Sequence, residues 1–275
     1  MAKQSISILG AGWLGEPLAH QLLRAGYEVR VSTTREEKAA RLSTEGLTTY
    51  VLHVTHRGLQ GDARDFLSSD ILILTLPPGG RRDPAAAQQY PYKVRHILAQ
   101  ALAQRMKYIL FTSSTGVYGD TEGWVMEDHS LQPNTASGKA LVEAEYDIRT
   151  AFGERATILR LAGLFGPDRH PGRWFAGRKN LANGEQFVNM VHLSDVIGVI
   201  QAVITQGAWG HTLNVCADDH PTRRDFYQAA AYDLGLAEPT FAPDPLGEHG
   251  KLVDNRLGKK ILGYTYQYSH PMKGF

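Results

Sequence analysis

Cysteine occurs once in this 275-residue chain, at Cys216. A single thiol excludes a disulfide framework and a cysteine-rich metal site. Its setting in the apolar run Leu213-Asn214-Val215-Cys216-Ala217 points to a buried structural thiol rather than a nucleophile. An excess of one charge is lacking too. The 29 Lys and Arg against 28 Asp and Glu leave a net charge of +1, which is no electrostatic footprint for nucleic acid or a membrane surface. No apolar run is long enough to span a bilayer. The opening Met1-Ala2-Lys3-Gln4 leads straight into a strand pattern rather than a signal peptide. Together these absences imply a cytoplasmic globular protein without nucleic-acid or membrane partners. The chain is long enough, at 43% hydrophobic residues, to bury a substantial core.

What is present is an alternation of strand-like and helix-like segments over the first 160 or so residues. Strands are expected at Ser5–Leu9, Glu28–Ser32, Thr48–Leu52, Asp70–Leu76, Tyr108–Ser113 and Ala156–Arg160. Helices are expected at Leu14–Ala25, Glu36–Thr44, Ala85–Gln104 and Ser137–Phe152. Strands joined by right-handed helical crossovers form a doubly wound, parallel, Rossmann-type α/β sheet. After Arg160 the texture changes: Gly and Pro crowd Gly163–Gly172, and two amphipathic helices follow, near Ser194–Thr205 and Thr222–Leu234. This predicts a dinucleotide-binding domain over residues 1–160 and a smaller C-terminal substrate lobe over 161–275, with some later elements returning to the main domain.

The turn after the first strand reads Gly10-Ala11-Gly12-Trp13-Leu14-Gly15, a G-x-G-x-x-G spacing between a hydrophobic strand and an amphipathic helix. Gly10 permits the tight turn, Gly12 lets backbone approach a pyrophosphate, and Gly15 lets helix and strand pack closely. The end of the second strand bears on which dinucleotide binds. An NAD site usually places an acid there to hold the ribose 2′-OH. This chain reads Val31-Ser32-Thr33-Thr34-Arg35 and has no acid before Glu36. Hydroxyls and a guanidinium suit a 2′-phosphate, so NADP is expected in preference to NAD. The plainer alternative has Thr34 capping the next helix and Arg35 in solvent.

The stretch Phe111-Thr112-Ser113-Ser114-Thr115-Gly116-Val117-Tyr118-Gly119 resembles the Ser-Ser-x-x-Val-Tyr-Gly segment of the extended short-chain dehydrogenases/reductases, which include the nucleotide-sugar epimerases and dehydratases. The likeness recurs at Leu159–Pro167, at Val191-His192-Leu193-Ser194-Asp195-Val196 and at Thr212–Val215. An atypical, YeeZ-like branch pairs a Gly-Trp-Leu-Gly turn with an Arg-His-Pro-Gly-Arg segment, here Gly12–Gly15 and Arg169–Arg173. The resemblance implies cofactor contacts from Trp13, Leu14, Leu76, Pro77, Lys139 and Leu161, besides Gly10, Gly12, Gly15, Thr33, Thr34 and Arg35. It also implies a homodimer through the helices Ala85–Gln104 and Ser137–Phe152. In that family a Ser or Thr, a Tyr and a Lys carry catalysis, the last two spaced Tyr-x-x-x-Lys so that the ammonium and the phenol share a helix face. Ser114 and Lys139 fill two of these places, but Thr135 stands four residues before Lys139. A threonine hydroxyl does not ionise usefully near neutrality and cannot replace the phenol as a proton donor. Three readings follow. Another group supplies the proton, with Tyr118, His170 and His192 as the nearby options. Alternatively the substrate needs no enzymic phenol, or the chain binds NADP without turnover.

On the substrate side, Asp168–Lys179 gathers Arg169, His170, Arg173, Arg178 and Lys179 with Trp174 and Phe175 against one acid, Asp168. Such a patch suits an anionic small molecule with an apolar or ring portion; the bland alternative is a solvated basic helix start. Ser194 is expected to cap a helix beginning at Asp195. Pro77 and Pro78 are expected to end the fourth strand, with Gly79 and Gly80 after them, and Arg81 and Arg82 are within reach of the adenosine phosphates. Two functional classes remain: an NADP-dependent oxidoreductase or epimerase-like enzyme acting on a small polar substrate, and a non-catalytic NADP(H)-binding sensor or scaffold.

Overall fold

The computed structural model describes residues 4–79, 84–243 and 249–275. The expected Gly80, Arg81 and Arg82 lie outside these described residues.

The architecture is an α/β doubly wound parallel sheet flanked by helices. Its strands are β1 (Ser5–Leu9), β2 (Glu28–Thr33), β3 (Thr48–Val51), β4 (Ile71–Leu74), β5 (Tyr108–Ser114), β6 (Ala156–Leu161) and β7 (Thr212–Val215). The spatial order is β7-β6-β5-β4-β1-β2-β3. Order therefore reverses between β1 and β4, and open sheets of this kind bind ligands at the carboxyl ends of the strands flanking such a reversal. The parallel register pairs Ile6 with Val29 on one side and with Ile71 on the other. All four residues of β4 are buried, which is why a continuous Ile-Leu-Ile-Leu run forms a central strand rather than an amphipathic one. Ser7 of β1 is also fully buried. Its hydroxyl meets the Phe66 carbonyl at 2.5 Å and the Ser69 hydroxyl at 2.7 Å, so this polar group is not left unpaired.

The helices follow the expected periodicity. Helix α1 (Gly15–Arg24) buries Leu18, Ala19 and Leu22, with Leu14 just before it, on one face at i, i+4 spacing. Helices α2 (Glu36–Thr44), α3 (Pro84–Ala103) and α4 (Ala136–Phe152) come next. Helix α4 buries Ala140, Leu141, Ala144, Ile148 and Phe152. It also buries Glu145, which accepts a 2.5 Å hydrogen bond from Ser113. Helices α5 (Leu193–Gln206) and α6 (Arg223–Asp233) complete the longer elements. Among the described residues no helix is long and apolar enough to cross a membrane.

Three expectations need correction. Beyond the six strands read from periodicity the sheet has a seventh, β7, at the Thr212–Val215 segment that only the resemblance singled out, its four residues being too short a run to show a period of their own. Strand β4 stops at Leu74, short of Leu76, because the Thr75 hydroxyl turns to the carbonyls of Leu9 and Gly10, each at 3.1 Å. Helix α5 begins at Leu193 rather than Asp195, so Ser194 is inside it. The ring of His192 accepts the Ser194 amide hydrogen at 3.2 Å in the place that a capping serine would have taken. Asp195 is wholly buried and instead anchors a later segment: its carboxylate accepts from the Tyr264 hydroxyl and from the amides of Gln267 and Tyr268.

The chain divides into two compact units. The first runs to Val117 and adds Pro133–Leu159 and Gly207–Thr212. The second comprises Tyr118–Gln132, Arg160–Gln206 and Leu213–Phe275. The second unit has its own aromatic core, in which Phe165, Met190 and Phe226 are buried with Tyr227, Met272 and Phe275 packed against them.

Candidate functional site

In the first unit, a pocket of about 220 Å³ opens where β1 and β2 end. Of the residues read as cofactor contacts, Gly10, Gly12, Thr33, Thr34, Arg35 and Leu76 line it; Leu9, Ala11, Ser32, Lys38, Leu52 and Val54 also do. No carboxylate stands among its lining residues.

The glycine-rich turn is built for close approach. Gly10 has φ of +111°, a conformation that side-chain-bearing residues rarely adopt. A Cβ on Gly15 would lie 2.0 Å from the Gly10 carbonyl oxygen, so the third glycine is forced by contact of helix on turn. Gly12 differs: a Cβ there would meet nothing within 4 Å. That space is what a pyrophosphate needs, because contraction of the backbone alone does not explain a glycine at this place. Two neighbouring strands fix the turn. The Gly10 amide donates to the Ser32 hydroxyl at 3.0 Å and the Ala11 amide to the Ser32 carbonyl at 2.6 Å, while Thr75 holds the other side. Helix α1 starts without a side-chain cap; the Glu16 amide donates to the Gly12 carbonyl at 3.1 Å and Pro17 has no amide hydrogen, so the helix start tightens the turn around Gly12. The residues thus fit a dinucleotide.

Helix α2 begins beside the same pocket. Arg35 occupies its N-cap place with extended backbone and no side-chain cap bond. The Arg35 amide donates to the Thr33 hydroxyl at 3.3 Å, so Thr33 rather than Thr34 serves this helix start. Lys38 was not anticipated from the sequence. Its ammonium donates to the Ala11 carbonyl at 2.6 Å and pairs with Glu16 at 2.5 Å. The position three residues after Arg35, hence on a shared helix face, was the available clue.

Ser114 ends β5, and its hydroxyl accepts from the Gly116 amide at 3.1 Å. The start of α4 lies against this turn, since a Cβ on Gly138 would be 3.0 Å from the Gly116 carbonyl oxygen. Thr135 is the N-cap of α4 and accepts from the Gly138 amide at 3.0 Å. Lys139 is exposed in the first turn of that helix, and its ammonium has no partner among the described residues. Trp13, Leu14, Gly15, Pro77 and Lys139 do not line the pocket.

The second unit holds the remaining expected residues. Tyr118 is 1% exposed. Its hydroxyl donates to Asn214 Oδ1 at 2.7 Å and accepts from Arg160 at 2.9 Å. Burial pushes its phenol up from the ordinary value, against the opposing effect of Arg160. Leu161 is buried at the end of β6. His170 closes a local corner: Nδ1 accepts from the Gly172 amide at 3.1 Å, and Nε2 lies at ion-pair distance, 3.2 Å, from Asp233 without hydrogen-bond alignment. Arg169, Arg173 and Trp174 remain exposed, the indole 6.1 Å from the Tyr227 ring. Burial holds the His192 imidazole below its ordinary proton affinity, with the Tyr268 ring centroid 4.0 Å away at a tilt of 46°. Cys216 is fully buried, its thiol pushed upward by burial, as a structural cysteine should be.

Comparison with known proteins agrees with this architecture. The family model for the NAD dependent epimerase/dehydratase family matches residues 6–216. Protein YeeZ of Escherichia coli K12 is 41% identical over 274 residues, covering 98% of each chain. A solved candidate NAD-dependent epimerase/dehydratase of Methylobacillus flagellatus is 26% identical, with a TM-score of 0.75 over 98% of this chain and 96% of that one. MoeE5, solved with UDP-glucose and NAD, shares the fold at 17% identity, with a TM-score of 0.80 over 98% of this chain and 96% of its own. From the glycine-rich turn through β7, this chain belongs to the NAD dependent epimerase/dehydratase family.

Proposed function

We propose that the chain is an NADP-binding oxidoreductase or epimerase/dehydratase-like enzyme of the extended short-chain dehydrogenase type, acting on a small, anionic polar substrate without the usual catalytic tyrosine. The observation that carries the cofactor reading is the pocket at the ends of β1 and β2, lined by Thr33, Thr34, Arg35 and Lys38 and by no carboxylate. An adenosine 2′-phosphate finds hydroxyls and cations there, whereas a 2′-OH finds no acid to hold it. When bound, the nicotinamide supplies or accepts a hydride. The chain's own residues do the rest. The turn at Gly10–Gly15 binds the pyrophosphate, Lys139 holds ribose hydroxyls, and Ser114 hydrogen-bonds a substrate oxygen. Leu76, Pro77, Trp13, Leu14 and Leu161 provide apolar contacts. Arg169, Arg173 and Trp174 recognise the substrate's anionic and ring portions.

Thr135 sets the proton question. Its oxygen is engaged as a helix cap, and Tyr118 spends both its donor and an acceptor position in a buried network. Neither is placed to give up a proton near neutrality. This favours a substrate that brings its own proton, such as a protonated imine. It is also the observation that supports the second reading, a non-catalytic NADP(H) sensor of the same fold. The protein is further proposed to be a cytoplasmic homodimer through α3 and α4, whose outer faces expose Tyr92 and Tyr146.

The test is cofactor titration followed by turnover. NADPH is expected to bind at least tenfold more tightly than NADH, and Arg35→Ala to remove most of that difference. Equal affinity in the wild type would sink the NADP reading. Oxidation of NADPH with candidate imines, carbonyls or sugar nucleotides separates the enzyme from the sensor.

A further inference from the structure

We propose that Lys38 is a second specificity-determining cation for the adenosine 2′-phosphate, acting with Arg35 across the mouth of the pocket at the end of β2. The inference rests on the NADP reading above and goes beyond it by naming a residue that the glycine-rich motif and the strand-end rule do not contain.

The geometry carries it. Arg35 and Lys38 both line the pocket, whereas Glu36 and Glu37, the two acids between them, do not. Residues three apart on a helix share a face, so the first turn of α2 turns its cations toward the pocket and its acids away. Lys38 is also held rather than loose. Its side chain is 15% exposed, and two of the three ammonium donors are committed, to the Ala11 carbonyl at 2.6 Å and to Glu16 at 2.5 Å. The third donor has no partner among the described residues. An ammonium fixed in this way loses little rotamer entropy when it binds an anion.

Glu16 is the obvious objection, because a carboxylate near the pocket repels a phosphate. It is countered on both oxygens, Oε2 by Lys38 and Oε1 by Arg41 at 2.6 Å. Burial works to raise the Glu16 carboxyl, and the hydrogen bonds from Lys38 and Arg41 outweigh it, so the group stays ionised below the usual carboxylate range. Its charge is therefore spent on orienting Lys38, and Glu16 does not line the pocket.

A purely structural role for Lys38 makes a different prediction. If it only clamped the Ala11 carbonyl, it would support the glycine-rich turn, which binds the pyrophosphate common to both dinucleotides. Losing it would then weaken NAD and NADP alike. If it reads the 2′-phosphate, only NADP suffers, by the tenfold or more that a charge-assisted hydrogen bond supplies.

The experiment measures dissociation constants of NADP and NAD, and of adenosine 2′,5′-bisphosphate and AMP, for the wild type, Lys38→Met and Lys38→Arg. Expected is a loss of about tenfold or more for NADP and the bisphosphate in Lys38→Met. NAD and AMP should stay within about twofold, and Lys38→Arg should recover most of the loss. Thermal unfolding of each variant shows that it is folded. A wild type that prefers NADP, joined to a Lys38→Met variant that weakens both dinucleotides equally or neither, overturns the Lys38 assignment alone. A wild type with no preference for NADP overturns the cofactor reading and this assignment together.

Discussion

The Thr135 hydroxyl accepts a hydrogen bond from the Gly138 amide at 3.0 Å, which makes the residue four before Lys139 a helix cap. Thr135 is exposed, so the bond closes the end of α4 without filling the core. Thr135→Ala should destabilise the protein by about 1 kcal/mol, and Thr135→Ser by much less, since serine caps as well as threonine. Urea unfolding of the three proteins checks this. Thr135→Tyr should lose the cap as Ala does. If Thr135→Tyr nevertheless creates turnover where the wild type has none, the sensor reading gains and the wild type is a degenerate enzyme.

Gly12 and Gly15 share one motif but should fail in different ways. A methyl group on Gly15 would overlap the Gly10 backbone carbonyl at 2.0 Å, which no side-chain rotation relieves. Gly15→Ala should therefore lower the melting temperature markedly, by the mechanism of overpacking that costs typically about 1–3 kcal/mol. Gly12→Ala adds a methyl group to open space and should fold normally. Its dinucleotide affinity should fall more than tenfold, because the methyl group occupies the approach to the pyrophosphate. Calorimetry and cofactor titration of both variants separate the two effects. Loss of stability in Gly12→Ala would contradict the pocket as described.

This contrast also shows what the sequence could reveal. The period of apolar residues placed β1 to the residue and α2 likewise, because buried Ile6 and Ile8 alternate and Ala39 and Leu42 recur on one helix face. The glycine spacing located the turn. Ser32, Thr75 and Lys38 escaped notice because their tasks depend on register: each is adjacent to the turn only after β2 and β4 pair with β1. Their bonds to Gly10, Leu9 and Ala11 span 22 to 66 positions along the chain. The seventh strand, Thr212–Val215, was legible through the family resemblance and not through periodicity. A four-residue run carries too little periodicity to announce a strand.

Tyr118 yields a prediction that separates structure from chemistry. Its hydroxyl joins Asn214 and Arg160, and Arg160 also donates to the Glu127 carbonyl at 2.9 Å. The Asn214 main-chain amide donates to the Glu127 carboxylate at 2.8 Å, and its side-chain Nδ2 donates to the Asp254 carbonyl at 3.0 Å. Tyr118→Phe keeps the ring and removes the hydroxyl, leaving a buried acceptor on Asn214 short of its donor. The expected cost is about 1–3 kcal/mol in stability. Cofactor affinity should be unchanged, as should any turnover the wild type shows, when each is measured well below the unfolding transition. Abolished turnover in a folded Tyr118→Phe protein would instead make this tyrosine the missing proton donor.

The buried His192 and the half-buried His220 set the sign of the acid response. Burial lowers the proton affinity of His192 and His220 below the usual 6.5, despite nearby aspartates that act in the opposite direction. His220 Nδ1 is buried with no hydrogen-bond partner among the described residues, and the ring lies edge-on to Trp124 at 5.6 Å. In the window between their folded values and 6.5, the unfolded chain binds protons that the folded chain does not. Stability then rises with pH across that window. The contribution is fully present above 6.5 and is lost as pH falls through the folded values. Unfolding midpoints in urea should therefore drop between pH 7.5 and pH 5.5, and His220→Gln should shrink the drop by removing one of the two titrating groups. His192→Gln should shrink it as well, with an additional loss at both pH values, because the ring nitrogen that accepts the Ser194 amide at the start of α5 disappears. A midpoint that rises on acidification over this range would show that the two imidazoles are protonated in the folded chain, contrary to their burial.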